Sequence, residues 1–156
     1  MNRLQNSRLD KKDLSDSHKN LNDFKMQEHL TSRIIKAYYT VYNKLGYGFL
    51  EKVYENALVL ELRRNGISCK PQQQVKVFYC DTQVGFYMAD IIVENSIIIE
   101  IKAAESLCEQ HEYQLINYLR ATEIEIGLLL NFGKSPQFKR KIVTNKVIET
   151  IEENRE

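Results

Sequence analysis

The stretch that decides the fold is Met88–Lys102, MADIIVENSIIIEIK. Three apolar, β-branched residues precede the polar segment Glu94–Ser96, and three more follow it. Residues of this kind favour strands, and a short polar segment between two such runs is typical of a tight turn. The stretch therefore predicts a β-hairpin.

Three charged residues stand in this apolar hairpin, namely Asp90, Glu100 and Lys102. A three-residue loop would pair Val93 with Ile97. Counting outward from that pair places Asp90 opposite Glu100, and Lys102 lies two residues further along the same face. Two carboxylates directly opposite each other on one face destabilise each other unless a positive charge lies between them. Hard oxygen ligands of this type favour Mg²⁺ or Mn²⁺.

Two other interpretations stay open on spacing alone. A strand pair that ends in mixed charges is also typical of a solvated strand end with a salt bridge. In addition, a change of register by one residue would turn Asp90 and Glu100 to opposite faces of the sheet and remove the site.

Length and charge set the wider limits. A chain of 156 residues predicts one domain with a sizeable core. The net charge of +1, from 22 basic and 21 acidic residues, gives no general attraction to nucleic acid, so any basic surface must be local. Three cysteines without a CxxC pair favour small buried residues in a reducing compartment over a zinc site. With no apolar run that could span a membrane and no signal-peptide core, we expect a cytoplasmic protein.

The order of elements follows from hydrophobic periodicity. Residues 1–25 are predicted to be a flexible or weakly helical arm, residues 26–144 the domain, and residues 145–156 a tail. Within the domain we expect a helix from Met26, a helix Phe49–Asn65, a strand Cys69–Tyr79, a turn Asp81–Gln83, the hairpin, a helix Leu107–Ala121, a strand Ile126–Asn131 and a last strand Phe138–Val143. The passage from the hairpin through a helix to a buried strand favours a parallel crossover.

Glu51 lies at the start of the second helix. Leu58 and Leu62 project within about 20° of it around the helix axis, so this carboxylate shares its direction with core leucines. A buried carboxylate needs a partner, which the charged end of the hairpin could supply, and Glu55 is the reserve candidate. Alternatively, Glu51 serves only to favour the helix dipole at the N-terminus.

Three motifs together resemble a known family. Asp90 followed by Glu100–Lys102 resembles the signature of the PD-(D/E)XK nuclease superfamily, with Ala89 at the proline position. Gly48–Tyr54, GFLEKVY, resembles the motif that gives the GxxExxY protein family its name. Gln114–Tyr118 is similar to the QxxxY helix of the RecB-like nuclease branch. The resemblance spans roughly residues 26–142.

The resemblance implies an α/β, restriction-endonuclease-like fold with an α-β-β-β-α-β core, in which helices flank a mixed sheet. It also implies a metal site. Asp90 and Glu100 would hold Mg²⁺ or Mn²⁺ together with the Ile101 carbonyl, and Glu51 would complete the shell directly or through water.

The resemblance further implies roles in catalysis. Lys102 would orient the attacking water or stabilise the developing negative charge, and Gln114 and Tyr118 would position a phosphate or a nucleotide. The implied activity is metal-dependent hydrolysis of phosphodiester bonds, in DNA rather than RNA. The alternative is a non-catalytic nucleic-acid-binding or assembly module on the same fold. Small size and near-zero charge fit a chain that gains affinity from a partner protein or from a homo-oligomer.

Overall fold

The computed structural model describes residues 11–144, with side chains at position 18 and from position 20 onward. The elements in chain order are α1 (Lys11–Leu45), α2 (Glu51–Arg64), β1 (Cys69–Tyr79), β2 (Thr82–Val93), β3 (Ile97–Lys102), α3 (Glu109–Arg120), β4 (Ile126–Asn131) and β5 (Gln137–Ile142). From α2 to β4 this is the predicted α-β-β-β-α-β order, and the α/β class is confirmed. The predicted tail 145–156 and residues 1–10 of the predicted arm lie outside the described residues.

Helix α1 begins at Lys11, inside the segment predicted as an arm. Residues 11–45 contain neither glycine nor proline, and a helix that has already nucleated extends at little cost per residue. The helix ends before Gly46 and Gly48, which have φ of 68° and 108°. The chain divides into two compact units, residues 1–33 and 34–156, and the boundary falls within α1.

The five strands form one mixed sheet in the order β1-β2-β3-β4-β5. Strands β3 and β4 are parallel, as the crossover through α3 requires, and the other neighbours are antiparallel. All of β4 and all of β3 except Lys102 are buried or nearly so. Their continuous apolar sequences are those of strands covered on both faces.

The central hairpin has the predicted register. Val93 pairs with Ile97, and the Ser96 N–H donates to the Val93 carbonyl at 2.9 Å, which closes the three-residue loop Glu94–Ser96. The first two loop residues have φ of 48° and 51°, which lets the chain reverse within three residues. Continued outward, this register places Asp90 opposite Glu100.

The turn between β1 and β2 differs from the prediction. It consists of Cys80 and Asp81, with φ of 47° and 62°, and Tyr79 pairs with Thr82 across it. A two-residue turn with positive φ at both positions matches the twist of the strands that it joins. The predicted turn at 81–83 was wrong by one residue because Cys80 has no preference for positive φ that would mark it as a turn residue.

Two expectations from composition can be compared with the structure. Cys69 is buried as predicted, whereas Cys80 and Cys108 are exposed, so the prediction of small buried cysteines holds for one of the three. Within residues 11–144, no helix is both long enough and apolar enough to cross a membrane.

Buried aromatic and amide side chains tie the loops at one end of the sheet to the helices. The Tyr38 hydroxyl donates to the carbonyl of Asn131, the last residue of β4. The Asn131 side chain in turn bonds both the N–H and the carbonyl of Ala104, each at 2.9 Å. Tyr54 of α2 stacks on Phe132, with ring centroids 4.3 Å apart. The chain segments after β3 and β4 are thereby fixed beside the start of α2.

Candidate active site

Asp90 and Glu100 lie side by side, and each carboxylate is bonded to the other residue's strand. The Ile101 N–H donates to Asp90 Oδ2 at 2.8 Å, and the Asp90 N–H donates to Glu100 Oε1 at 3.2 Å. The two carboxyl groups are also within hydrogen-bonding reach of each other. The structure thus brings the two acids together at one end of the hairpin.

The environment of Glu100 disfavours its charge. Only 2% of this residue is exposed. Burial, followed by the charge of Asp90, raises the pKa of Glu100 to about 8, although the Asp90 N–H and the Lys102 ammonium act in the opposite direction. Burial likewise raises the pKa of Asp90. At neutral pH the raised pKa therefore favours the protonated form of Glu100.

The buried carboxylate of α2 is Glu55, not Glu51. Glu51 is the first residue of the helix and is exposed, whereas Leu58 and Leu62, which share its direction around the axis, are fully buried. Glu55 is 4% exposed. After burial, the charges of both glutamates raise the pKa of Asp90, so both act on the acid pair through space. A role for Glu51 as a metal ligand stays a prediction.

Sequence reasoning missed the residue that holds Glu55 in place. Gln72 Nε2 donates to Glu55 Oε2 at 2.8 Å, and Lys52 Nζ bonds Glu55 Oε1 at 2.6 Å. Gln72 lies at the β1 position opposite Asp90, has φ of 52°, and is skipped by the regular strand pairing. A non-glycine residue in the left-handed region within a strand marks a strained site. The one available signal in the sequence was the run of polar residues after Pro71, which interrupts the alternation of apolar and polar side chains along the strand.

Lys102, Gln114 and Tyr118 form a hydrogen-bonded chain. Lys102 Nζ donates to Gln114 Oε1 at 2.9 Å, and Gln114 Nε2 donates to the Tyr118 hydroxyl at 2.9 Å. Because an ammonium can only donate, it fixes the orientation of the Gln114 amide. The charge of Glu100 adds to burial in raising the pKa of Tyr118. Lys102 of β3 and the pair Gln114 and Tyr118 of α3, predicted on two different elements, are therefore next to each other and close to the acids.

The acid pair fits a hard cation. Across the described part of the chain, no three His, Cys, Asp or Glu side chains form a ready cluster of ligands. Two adjacent carboxylates without a third suit Mg²⁺, which takes one or two protein carboxylates and completes its octahedron with water and substrate oxygens. A cation bound by both carboxylates would offset the burial that raises the pKa values of Asp90 and Glu100.

Comparison with known proteins agrees with this arrangement at the level of the family. The sequence model of the PD-(D/E)XK nuclease superfamily matches residues 28–143. Among solved structures, the chain is similar to the crystal structure of SSO0001, with 20% identity, 67% of this chain and 56% of that chain covered, and a TM-score of 0.49. It is also similar to an alkaline exonuclease, LHK-Exo from Laribacter hongkongensis, with 12% identity, 65% and 60% covered, and a TM-score of 0.43. The chain thus spans little more than half the length of these structures. No curated protein sequence matches it significantly.

Proposed function

The chain belongs to the PD-(D/E)XK nuclease superfamily, and from this premise we propose that it hydrolyses phosphodiester bonds, in DNA, with the help of Mg²⁺ or Mn²⁺. The observation that carries the proposal is the acid pair. Glu100 is buried and Asp90 half-buried beside it, although burial raises the pKa of both carboxyl groups, and Lys102 lies next to them. A fold that needed only stability would have no use for this arrangement.

The cation would be held by Asp90, Glu100 and the Ile101 carbonyl, with Glu51 reaching it through a water molecule. When bound, such a cation lowers the pKa of a water molecule and offsets the charge of the attacked phosphate. Glu55 would act at a distance, because the Gln72 amide and the Lys52 ammonium hold its carboxylate in a fixed position.

Lys102 is the residue that we assign to the charge that develops on the phosphate. Its ammonium bonds Gln114, so it is held by α3 as well as by β3, and a preorganised donor of this kind costs no reorganisation when the charge appears. Gln114 and Tyr118 would in addition position a phosphate or a nucleotide beside the acids.

The finer family assignment is also part of the proposal. Tyr54, the tyrosine of the segment similar to the GxxExxY motif, donates to the Gly46 carbonyl at 2.7 Å and accepts from the Phe49 N–H at 3.2 Å. These bonds hold the loop that leads to Glu51, which gives the tyrosine of the motif a structural role. The similarity to the RecB-like branch rests on Gln114–Tyr118. A cytoplasmic location and a partner protein or homo-oligomer remain proposals from composition.

Cleavage of labelled DNA and RNA, single- and double-stranded, tests the proposal. We expect wild-type protein to cleave DNA with Mg²⁺ and not in EDTA. Lys102→Ala should lower the rate by about 10²–10³, the usual effect of removing one donor to a transition state, while the affinity for Mg²⁺ stays close to that of wild type. Lys36→Ala, at an exposed position of α1, is the control and should cleave normally.

Calorimetry provides the matching test of the metal. Mg²⁺ or Mn²⁺ binding should be lost in Asp90→Ala, and equal binding by this variant and wild type would remove the metal site from the proposal. Cleavage that Lys102→Ala leaves intact would refute the mechanism. Binding of nucleic acid without cleavage of any substrate would favour the alternative, a non-catalytic binding module.

A further inference from the structure

A cavity of about 300 Å³ opens next to the candidate site, and two residues of that site, Gln114 and Tyr118, form part of its lining. It lies between β2 and α3, and six residues line it: Tyr87, Gln110, Tyr113, Gln114, Asn117 and Tyr118. The five from α3 follow the spacing i, i+3, i+4, i+7 and i+8, so they belong to one face of the helix. We call this the tyrosine cavity.

The tyrosine cavity presents aromatic rings and amides to solvent. Tyr87 is 48% exposed and Tyr113 is 60% exposed, although both are large rings. The buried Tyr118 ring lies 5.2 Å from that of Tyr87, at an interplanar angle of 44°. Gln110 and Asn117 add exposed amide groups, each with donors and an acceptor.

The charge of the lining indicates what it can hold. None of the described residues that line the cavity is charged at neutral pH. A phosphate would find no cation in it, whereas a flat, neutral ring with polar edges would find rings to stack on and amides to bond. A nucleobase has these properties, because every base has a π-face and a hydrogen-bonding edge.

Two of the lining residues connect the cavity to the acid pair. Gln114 and Tyr118 line it, and Gln114 also accepts the hydrogen bond from Lys102 Nζ. Burial and, after it, the charge of Glu100 raise the pKa of Tyr118. A base in the cavity would therefore belong to a nucleotide adjacent to the phosphate that lies at Asp90 and Glu100.

We propose that the tyrosine cavity receives one unpaired nucleobase of the strand that is cleaved, stacked on Tyr87 and Tyr113. This rests on the proposed function and narrows its substrate to strands with an unpaired nucleotide next to the cleaved bond. A base within a duplex is stacked and paired on both sides, so it would have to leave the duplex before it could enter.

Equilibrium binding of two short DNA strands tests the proposal. One strand has an abasic deoxyribose-phosphate backbone, and the other is identical but carries a single central base. Fluorescence anisotropy is measured in EDTA and again with Ca²⁺, a cation with the same preference for oxygen ligands. For wild type, the base should tighten binding by about 5-fold to 150-fold, the range that one stacked base contributes.

Variants assign this gain to the cavity. Tyr113→Ala should abolish most of the gain, Tyr113→Phe should keep it because the ring remains, and Tyr79→Ala, an exposed tyrosine outside the cavity, should also keep it. Equal affinity of wild type for the two strands overturns the proposal, as does a gain that Tyr113→Ala leaves unchanged.

Cleavage of the base-bearing strand with Mg²⁺ is measured in parallel, so that the two proposals can fail separately. A gain that depends on Tyr113 without cleavage of any strand supports the cavity as a base site and removes the nuclease. Cleavage without any gain from the base supports the nuclease and overturns the base site.

Discussion

At the scale of single residues, the proposal depends on the carboxyl group of Glu100, whose surroundings disfavour its ionised form. Glu100 is buried next to Asp90, and together these two conditions raise its pKa to about 8 from an ordinary value of 4.5. Burial and a neighbouring like charge shift pKa values most often at functional sites, where such groups serve to bind a ligand or to take part in catalysis.

The raised pKa makes a prediction about stability. Between pH 4.5 and about 8, the folded protein binds a proton at Glu100 that the unfolded chain has lost, so stability falls as the pH rises through this window. In EDTA, Glu100→Gln should lose less stability than wild type between pH 5 and 8 and should be the more stable protein at pH 8. Urea unfolding at both pH values measures this.

A matched control separates the effect from a general loss of negative charge. Glu109→Gln changes an exposed glutamate at the start of α3 and should follow the wild-type dependence on pH. Asp90 adds a smaller slope of the same sign to every variant, because burial raises its pKa as well. If wild type and Glu100→Gln lose the same stability over this range, Glu100 is not the group that titrates.

At the scale of elements, strand β1 carries the least expected feature of the fold. Gln72 has φ of 52° inside the strand, at the position opposite Asp90, and its amide bonds Glu55. Left-handed backbone costs a non-glycine residue roughly 1–2 kcal/mol, so something must hold Gln72 there. The bond to a buried carboxylate is the visible cause.

The distortion at Gln72 predicts an inverted order of two variants. Gln72→Ala and Gln72→Gly both remove the amide, so the comparison between them reports the backbone alone. In an ordinary strand glycine is less stable than alanine by about 0.5–1 kcal/mol. At φ of 52° we expect Gln72→Gly to be the more stable by about 1 kcal/mol, measured by urea unfolding. Alanine at least as stable as glycine would show that β1 is regular at this position.

Sequence alone predicted the elements that are marked by a pattern of neighbouring residues. The apolar run Ile126–Asn131 predicted β4 with its correct ends, and the hairpin register followed from the turn segment Glu94–Ser96. The network of Glu55 with Gln72 could not be read in this way, since it joins residues 17 apart across a helix and a strand. Angular position alone pointed to Glu51 as the buried acid of α2 and could not show that the side chain at the very start of the helix stays exposed.

At the scale of the whole molecule, charge is balanced in part by internal pairing. The net charge is +1, and three consecutive basic residues, Lys139, Arg140 and Lys141, lie on β5. Two of them, Lys139 and Lys141, bond the same carboxylate, Glu112 of α3, with Lys141 Nζ at 2.5 Å from Oε2. Both lysines together lower the pKa of Glu112. Much of the local basic surface is therefore already neutralised.

This pairing predicts how the dependence of binding on salt can be changed. Glu112→Gln releases both lysines and raises the net charge from +1 to +2. Single-stranded DNA should then bind more tightly at low salt, and the slope of log K against log salt should steepen by about 0.7 for each lysine that meets a phosphate. Anisotropy titrations over a series of salt concentrations measure the slope, with Glu123→Gln, an exposed acid, as the control. An unchanged slope would mean that β5 faces away from the nucleic acid.

The most direct test of the central claim, that Asp90 and Glu100 are paired in order to hold a divalent cation, is anomalous diffraction from crystals soaked with Mn²⁺. We predict a peak at coordination distance from both carboxylates. Manganese bound at Glu51 or Glu55 alone, or no peak between Asp90 and Glu100 in saturating Mn²⁺, would contradict the account.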